Sequence, residues 1–311
     1  MTSAKVSGSR WADLDGPVHW VDHGGPQEGP LLVAVHGLGG SHLNWISLAP
    51  LLTPTCRLVA LDLAGFGHTR GGGRSTSVRG NQRLLHRFVT EVAGAPAILV
   101  GNSMGGLISV LEAADHPQDV AGLVLIDPAL PPDLRTRPDP VTAAIFAAHF
   151  TPGAARRRAR TTPEQAALDI LWLCCADPGR IPHEVLEAHL QLARSRGYYA
   201  EMESEFVLAT RSLLWTLARR RQFRATLDGI DVPVLLIHGD SDRLIPVAAA
   251  RSAARRHRRW RYEELRGVGH VPQLELPGRT AELVLDWLDA EGVSAAEAAR
   301  AAGRRTASST A

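Results

Sequence analysis

Gly101-Asn102-Ser103-Met104-Gly105 sets a serine between two glycines, directly after the apolar run Ala97–Asn102 and directly before a segment of helical character. A serine on so tight a strand-to-helix turn has a strained backbone, and a Cβ at either flanking position would collide with neighbouring strand or helix. Glycine at both sites removes that collision. The start of the following helix also aims free N–H groups at the serine, so negative charge developing there is stabilised. Such a hydroxyl becomes a nucleophile only when a base takes its proton, and the base needs a carboxylate to fix its tautomer. Without those partners the same five residues read equally well as a glycine-softened turn.

Two distant segments supply the partners. Asp242 lies in HGDSDRLIP, just past an apolar run through Ile237, and His270 lies in GVGHVPQLELP, after the short strand candidate Arg261–Leu265. The chain order is Ser, Asp, His, each at the C-terminal end of a strand, where an open α/β sheet gathers its site. Any one of the 13 histidines could be an ordinary surface residue. Three partners in this order, each beside the right strand, are hard to produce by accident. His36-Gly37-Leu38-Gly39-Gly40 adds a fourth element directly after Leu31–Val35. Its glycines let a loop approach the reacting atom, and the N–H groups of Leu38 and Met104 are the expected oxyanion donors. A Rossmann phosphate loop would need glycine where His42 stands, so that reading fails. His36 is expected to be a structural hydrogen-bonding residue and not a base.

The elements that must position these groups follow from hydrophobic periodicity. Leu31–Val35, Arg57–Asp62, Ala97–Asn102, Gly122–Asp127 and Val232–Gly239 are short, continuously apolar runs, the mark of parallel strands covered on both faces. Segments of helical length separate them, such as Met104–His116, stopped by Pro117. The alternation predicts an α/β fold, a doubly wound, mostly parallel sheet. The rhythm fails once. Between residues 131 and 228 only helical runs occur, at Thr142–Phe150, Pro163–Cys175, His183–Arg196 and Tyr199–Arg221, which predicts an inserted all-helical cap. The expected division is a first core part at 1–130, the cap at 131–228, a second core part at 229–290 and a disordered tail at 291–311.

Composition sets further bounds. The 311 residues are 45% hydrophobic and 21% charged, enough apolar material for a sizeable core. Lys+Arg 34 against Asp+Glu 32 leaves a formal charge of +2, which provides no field to gather nucleic acid or an anionic membrane. No apolar run approaches the roughly 18 residues of a membrane span, and the N-terminus has no apolar h-region. A cytoplasmic protein without stable membrane insertion is expected, acting on a small molecule. Lys5 is the only lysine, in a terminus expected to fray, which sets aside a Walker A loop, a Schiff base and a Ser-Lys dyad. Three cysteines make no disulfide framework, and without HExxH or CxxC no metal or other cofactor is expected. Ile145, Phe146, Phe150, Leu171, Trp172 and Leu173 are candidates to line an acyl pocket, though most of them read as cap core, and Cys174-Cys175 as cap packing. Tyr198-Tyr199 with Glu201, Glu203 and Glu205 offers a substrate contact or, as the preferred reading, a solvated helix face, and Gly71-Gly72-Gly73 a mobile loop or a plain flexible connection.

On HGLGG, DLAGFG, GNSMGG, HGDSDRLIP and GVGHVPQLELP the chain resembles the α/β-hydrolase superfamily from about Gly16 to Leu288. The resemblance implies Ser103 as nucleophile, His270 as base and Asp242 as orienting acid. Some relatives place the acid after the preceding strand, where this chain has Asp127; the DxxxP spacing favours Asp242. The family's DxxGxGxS segment ends here in Thr69. Relatives that split carbon–halogen bonds or epoxides use an aspartate nucleophile, because an alkyl-serine would be an ether that water cannot turn over. Acyl transfer remains. The preferred expectation is hydrolysis of a carboxylic ester of a small or lipid-like substrate. Cleavage of C–C bonds in ring-cleavage products is the second, since GNSMGG is similar to the elbow of those hydrolases, although they usually carry Trp where this chain has Val271. A hydrolase-like small-ligand receptor is the third.

Overall fold

The computed structural model of the chain describes residues 8–131, 161–196 and 202–292. Eight strands form one sheet: β1 (Ser9–Asp13), β2 (Pro17–Gly24), β3 (Leu31–Val35), β4 (Arg57–Leu61), β5 (Ala97–Asn102), β6 (Val120–Ile126), β7 (Val234–Gly239) and β8 (Arg261–Leu265). Their spatial order is β1-β2-β4-β3-β5-β6-β7-β8. β2 runs antiparallel to both β1 and β4, and every other neighbouring pair is parallel. The doubly wound, mostly parallel sheet expected from the apolar runs is the observed architecture.

Those runs are apolar throughout because successive residues enter two different cores. Val33, Val35, Leu123, Leu125 and Leu236 pack on one side of the sheet. Leu32, Ala34, Val124, Ile126, Leu235 and Ile237 pack on the other. The first side is covered by α2 (Val78–Arg87), α3 (Met104–Asp115) and α8 (Val247–Arg256), the second by α1 (Ala49–Leu52) and α10 (Pro277–Glu291). β1 and β2 are absent from the sequence reading. They form an edge hairpin in which only alternate or scattered residues are buried, so no continuous apolar run marks them. Its turn needs left-handed backbone at Asp15 and Gly16, with φ 58 and 111.

Between β6 and β7 the described residues form α4 (Pro163–Cys174), α5 (His183–Arg196), α6 (Met202–Ala218) and α7 (Arg220–Asp228). Thr162 caps α4 by accepting from the Gln165 N–H, with Pro163 at the first helical position, as the Thr-Pro pair suggests. The single run expected over Tyr199–Arg221 is two helices, because Arg219 leaves helical geometry at ψ 49. The expected helix Thr142–Phe150, with Ile145 and Phe146, lies outside the described residues, as do Tyr198, Tyr199, Glu201 and most of the expected tail.

Two expectations fail here. Trp172 is not cap core: it is 66% exposed, while its neighbour Leu171 is buried. Adjacent helical residues point about 100° apart, so the turn of α4 that buries Leu171 carries Trp172 away from it. Glu205 is not on a solvated face. Its Oε1 accepts from the Gly71 N–H at 2.8 Å and its carbonyl accepts from Thr76 Oγ1 at 3.0 Å. The glycine run after Arg70 is therefore anchored to α6. No described helix is long and apolar enough to cross a membrane.

Trp287 of α10 is fully buried, and its ring packs against Gly122 so closely that a Cβ there would lie 2.9 Å from Cη2. Trp287→Ala should therefore lower unfolding free energy by about 3–5 kcal/mol, read from urea denaturation.

Candidate active site

β5 delivers its last residue, Asn102, into a turn where Ser103 has φ 55 and ψ −119 before α3 begins. A non-glycine residue in that region costs on the order of 1–3 kcal/mol, so its surroundings must over-determine it. The Ser103 N–H donates to the Ile126 carbonyl at 3.1 Å, and its own carbonyl accepts from Ala129 N–H at 2.9 Å. Both bonds reach across to the end of β6. A Cβ on Gly105 would lie 2.1 Å from the Val35 carbonyl oxygen, and one on Gly101 would lie 2.6 Å from Gly106 Cα. Strand, serine and helix can approach this closely only with glycine at both positions.

The turn after β3 reaches the same place. A Cβ on Gly37 would sit 2.9 Å from Ser103 Cβ, so the backbone leading into Leu38 runs alongside the serine side chain. Met104 is the first residue of α3, where N–H groups have no intrahelical acceptor. His36 fixes the start of this turn. Its Nδ1–H donates to the Gly37 carbonyl at 2.7 Å, and its Nε2 accepts from the Leu63 N–H at 3.0 Å. Those two bonds define the neutral tautomer. Burial pushes the imidazole down to about 4, against the raising influence of Asp62 and the Gly37 carbonyl.

His270 and Asp242 come from the loops after β8 and β7. His270 Nδ1 and Asp242 Oδ2 lie 2.7 Å apart, both residues being buried. The other Asp242 oxygen accepts from Leu244 and Ile245 N–H groups at 2.7 and 3.0 Å, so the loop itself grips the carboxylate. Burial pushes Asp242 up, but His270, His238 and the Ile245 N–H outweigh it and hold the carboxyl below its ordinary range. The link to Ser103 runs through Asn102. Its Nδ2 donates to the His270 carbonyl at 3.0 Å and to the Ile126 carbonyl at 3.0 Å. The residue immediately before the serine thus ties the histidine loop to the sheet. No sequence signal singled Asn102 out, since the motif leaves that position open.

Asp127 stands at the end of β6, next to the pair. One of its oxygens accepts the Gly239 N–H at 3.0 Å. Burial first, then the charge of Asp242, push the Asp127 carboxyl well above its ordinary range. Two buried carboxyls so close resist ionising together, which favours the proton on Asp127 and the charge on Asp242, the acid that faces the imidazole. Both acid positions named from the sequence thus lie beside each other, and the imidazole meets Asp242. His238 lies 3.5 Å from each and donates Nε2–H to the Ile245 carbonyl at 2.9 Å. Burial holds its imidazole below the ordinary value.

Among the described residues, three groups bring His and acidic ligand atoms within 4.8 Å of one another: His19, His42 and Asp62; His86, His116 and Asp119; Asp127, Asp242 and His270. In the first, the Asp62 oxygens already accept from His19 Nδ1, His42 Nδ1 and the backbone N–H groups of His42 and His68, at 2.7 to 3.1 Å. Burial pushes Asp62 up, yet these histidines hold it well below the carboxylate range. Its lone pairs serve the loops around the candidate oxyanion turn, not a cation.

Comparison with known proteins gives a concordant result. The family model described as alpha/beta hydrolase fold matches residues 30–277. Monoacylglycerol lipase ABHD6 of Homo sapiens is 27% identical over 279 residues, covering 85% of this chain and 77% of the relative. Pimeloyl-(acyl-carrier protein) methyl ester esterase of Aromatoleum aromaticum is 30% identical over 264 residues, covering 83% and 97%. A bacterial membrane phospholipase A superposes with TM-score 0.72 at 26% identity, over 92% of this chain and 86% of that one.

Two measurements follow from the geometry. Asp242→Asn should lower kcat by roughly 10²–10⁴-fold, whereas Asp127→Asn, at the acid whose charged form burial and Asp242 disfavour, should cost less than about tenfold. The reverse ranking would transfer the orienting role to Asp127. For His36, the folded pKa of about 4 lies below the ordinary 6.5, so the unfolded chain binds the extra proton between them. The stability this site contributes is present above pH 6.5 and is lost as pH falls toward 4, on the order of 3 kcal/mol. Urea midpoints across that interval should therefore fall more steeply for the wild type than for His36→Gln.

Proposed function

This chain belongs to the alpha/beta hydrolase fold family, and from that membership we propose that it hydrolyses a carboxylic ester through Ser103, His270 and Asp242. The observation that carries the reading is the buried Asp242–His270 pair, whose loop is tied by the Asn102 bond to the His270 backbone carbonyl, beside Ser103. In this mechanism Ser103 Oγ attacks the ester carbonyl while His270 Nε2 takes its proton. The oxyanion is met by the N–H groups of Leu38 and Met104, the first in the turn against Ser103 and the second at the head of α3. Such donors are worth about 3–4 kcal/mol each when removed singly. His270 then protonates the leaving alcohol, and a water activated by the same imidazole splits the acyl-serine. Ionised Asp242 keeps Nδ1–H pointed inward and stabilises the imidazolium that forms.

Residues 131–228 serve in this reading as the cap of a core formed by 1–130 and 229–290. Phe206 of α6 supports it: a Cβ on Gly39 would lie 3.4 Å from its Cε2, so an apolar ring from the helical insertion sits over the oxyanion turn. A small or lipid-like acyl group against that ring fits the ester-hydrolase names of the two curated relatives.

The reading is tested with a fluorophosphonate probe and p-nitrophenyl esters of graded acyl length, alongside a 2-hydroxy-6-oxo-dienoate. A single adduct mapped to Ser103, and ester turnover lost in Ser103→Ala, are expected. Turnover of the dienoate without esters would replace the reading with C–C hydrolysis. Ester turnover surviving in Ser103→Ala would remove the nucleophile altogether.

A further inference from the structure

Glu275 is the third buried carboxylate near the histidine loop, and the proposed chemistry does not use it. It closes α9 (Pro272–Glu275), five residues beyond His270, and its side chain is wholly inaccessible. Oε2 accepts from the Gly269 N–H at 2.9 Å and the Ala176 N–H at 3.1 Å. Oε1 accepts from the Asp177 N–H at 3.0 Å and from Arg180 Nη1 at 3.2 Å. One donor belongs to the loop that carries His270. The other three belong to the turn between α4 and α5, in the helical insertion.

The same turn touches His270 directly. The His270 N–H donates to the Cys174 carbonyl at 2.6 Å, and Arg180 Nη1 also donates to the Gly267 carbonyl at 2.8 Å. A Cβ on Gly269 would lie 2.3 Å from the Cys174 carbonyl oxygen and 2.7 Å from the Ala176 nitrogen. The two backbones are in contact, so a displacement of one displaces the other. Four N–H donors converging on one side chain call for a carboxylate, which has about four acceptor sites and no hydrogen of its own. A glutamine has one acceptor oxygen, and its amide hydrogens would face two of those donors.

We propose that Glu275 is a positioning residue that latches the Cys174–Arg180 turn of the helical insertion to the Gly267–His270 loop and so holds the imidazole in line with Ser103. This rests on the proposed roles of Ser103 and His270.

The test compares Glu275→Gln, Glu275→Asp and the wild type, with kcat and KM for an ester expressed per fluorophosphonate-titrated site. Glu275→Gln should lower kcat by about 10- to 100-fold, the scale of a misplacement near 1 Å, with KM changed less than about threefold. Glu275→Asp keeps the charge but draws it back by one methylene, so it should fail to rescue kcat. Rescue by Asp would assign the effect to charge, not placement, and overturn the latch. Unchanged kcat per titrated site in Glu275→Gln, with only a lower melting temperature, would also overturn it and leave a structural role. If Glu275→Gln does not fold, Arg180→Ala decides. It removes one of the four donors and one bond to Gly267, and should lower kcat two- to fivefold at constant KM; no change would reject the proposal. Failure of the wild type to label at Ser103 would instead reject the proposed function, a distinguishable result.

Discussion

The bond between His270 Nδ1 and Asp242 Oδ2 joins loops from two adjacent strands, and the rest of the candidate site is arranged so that it can form. A charged or easily charged pair buried this deeply is unfavourable unless every remaining lone pair and proton is met. Asp242 accepts from two backbone N–H groups of its own loop, His270 is held at its carbonyl by Asn102, and its N–H is taken by Cys174. His270 is thereby fixed at three points, its ring by Asp242 and its backbone by Asn102 and Cys174. Burial and the charge of Asp242 push the neighbouring Asp127 carboxyl well above its ordinary range, which disfavours a second negative charge beside the same ring.

The same physical solution recurs around the pocket. Asp62, Asp242 and Glu275 are buried carboxylates, and each gathers N–H donors from segments far apart in the chain. Asp62 organises the turn after β4 and the helical turn His42–Trp45 on the candidate oxyanion side. Asp242 organises the loop after β7. Glu275 organises the insertion against the loop after β8. Loops carry few apolar contacts of their own, so a site built on loops needs anchors of this kind to approach the rigidity of the sheet beneath it. Ser103 needs no such carboxylate. The strand–helix junction and the bonds to Ile126 and Ala129 hold it in its strained conformation.

Where local chemistry dictates structure, the sequence was legible. β3, β5 and β8 begin and end where their apolar or short extended runs do, and α3 ends at Asp115, one residue before the His116-Pro117 stop. β1 and β2 were not legible, because an edge hairpin buries too little to show a pattern. Trp172 and Glu205 were misread for related reasons. Periodicity states that a helix has two faces, but not which face its neighbours will cover. The helix containing Glu205 meets the loop at Gly71, and that contact is set by how α6 packs against α2 and the loop before it.

Sequence alone determined the fold class, the turn that strains Ser103, and the candidate partners at successive strand ends, because these depend on steric and hydrophobic rules acting within a few residues. Tertiary structure alone decided which of two acids is pushed toward its neutral form, why Asn102 is an amide, and why a carboxylate stands at 275. Each of those depends on donors and charges brought together from segments tens to more than a hundred residues apart. Protonation and hydrogen bonding respond to the atoms within a few ångströms in space, and distance along the chain does not encode them.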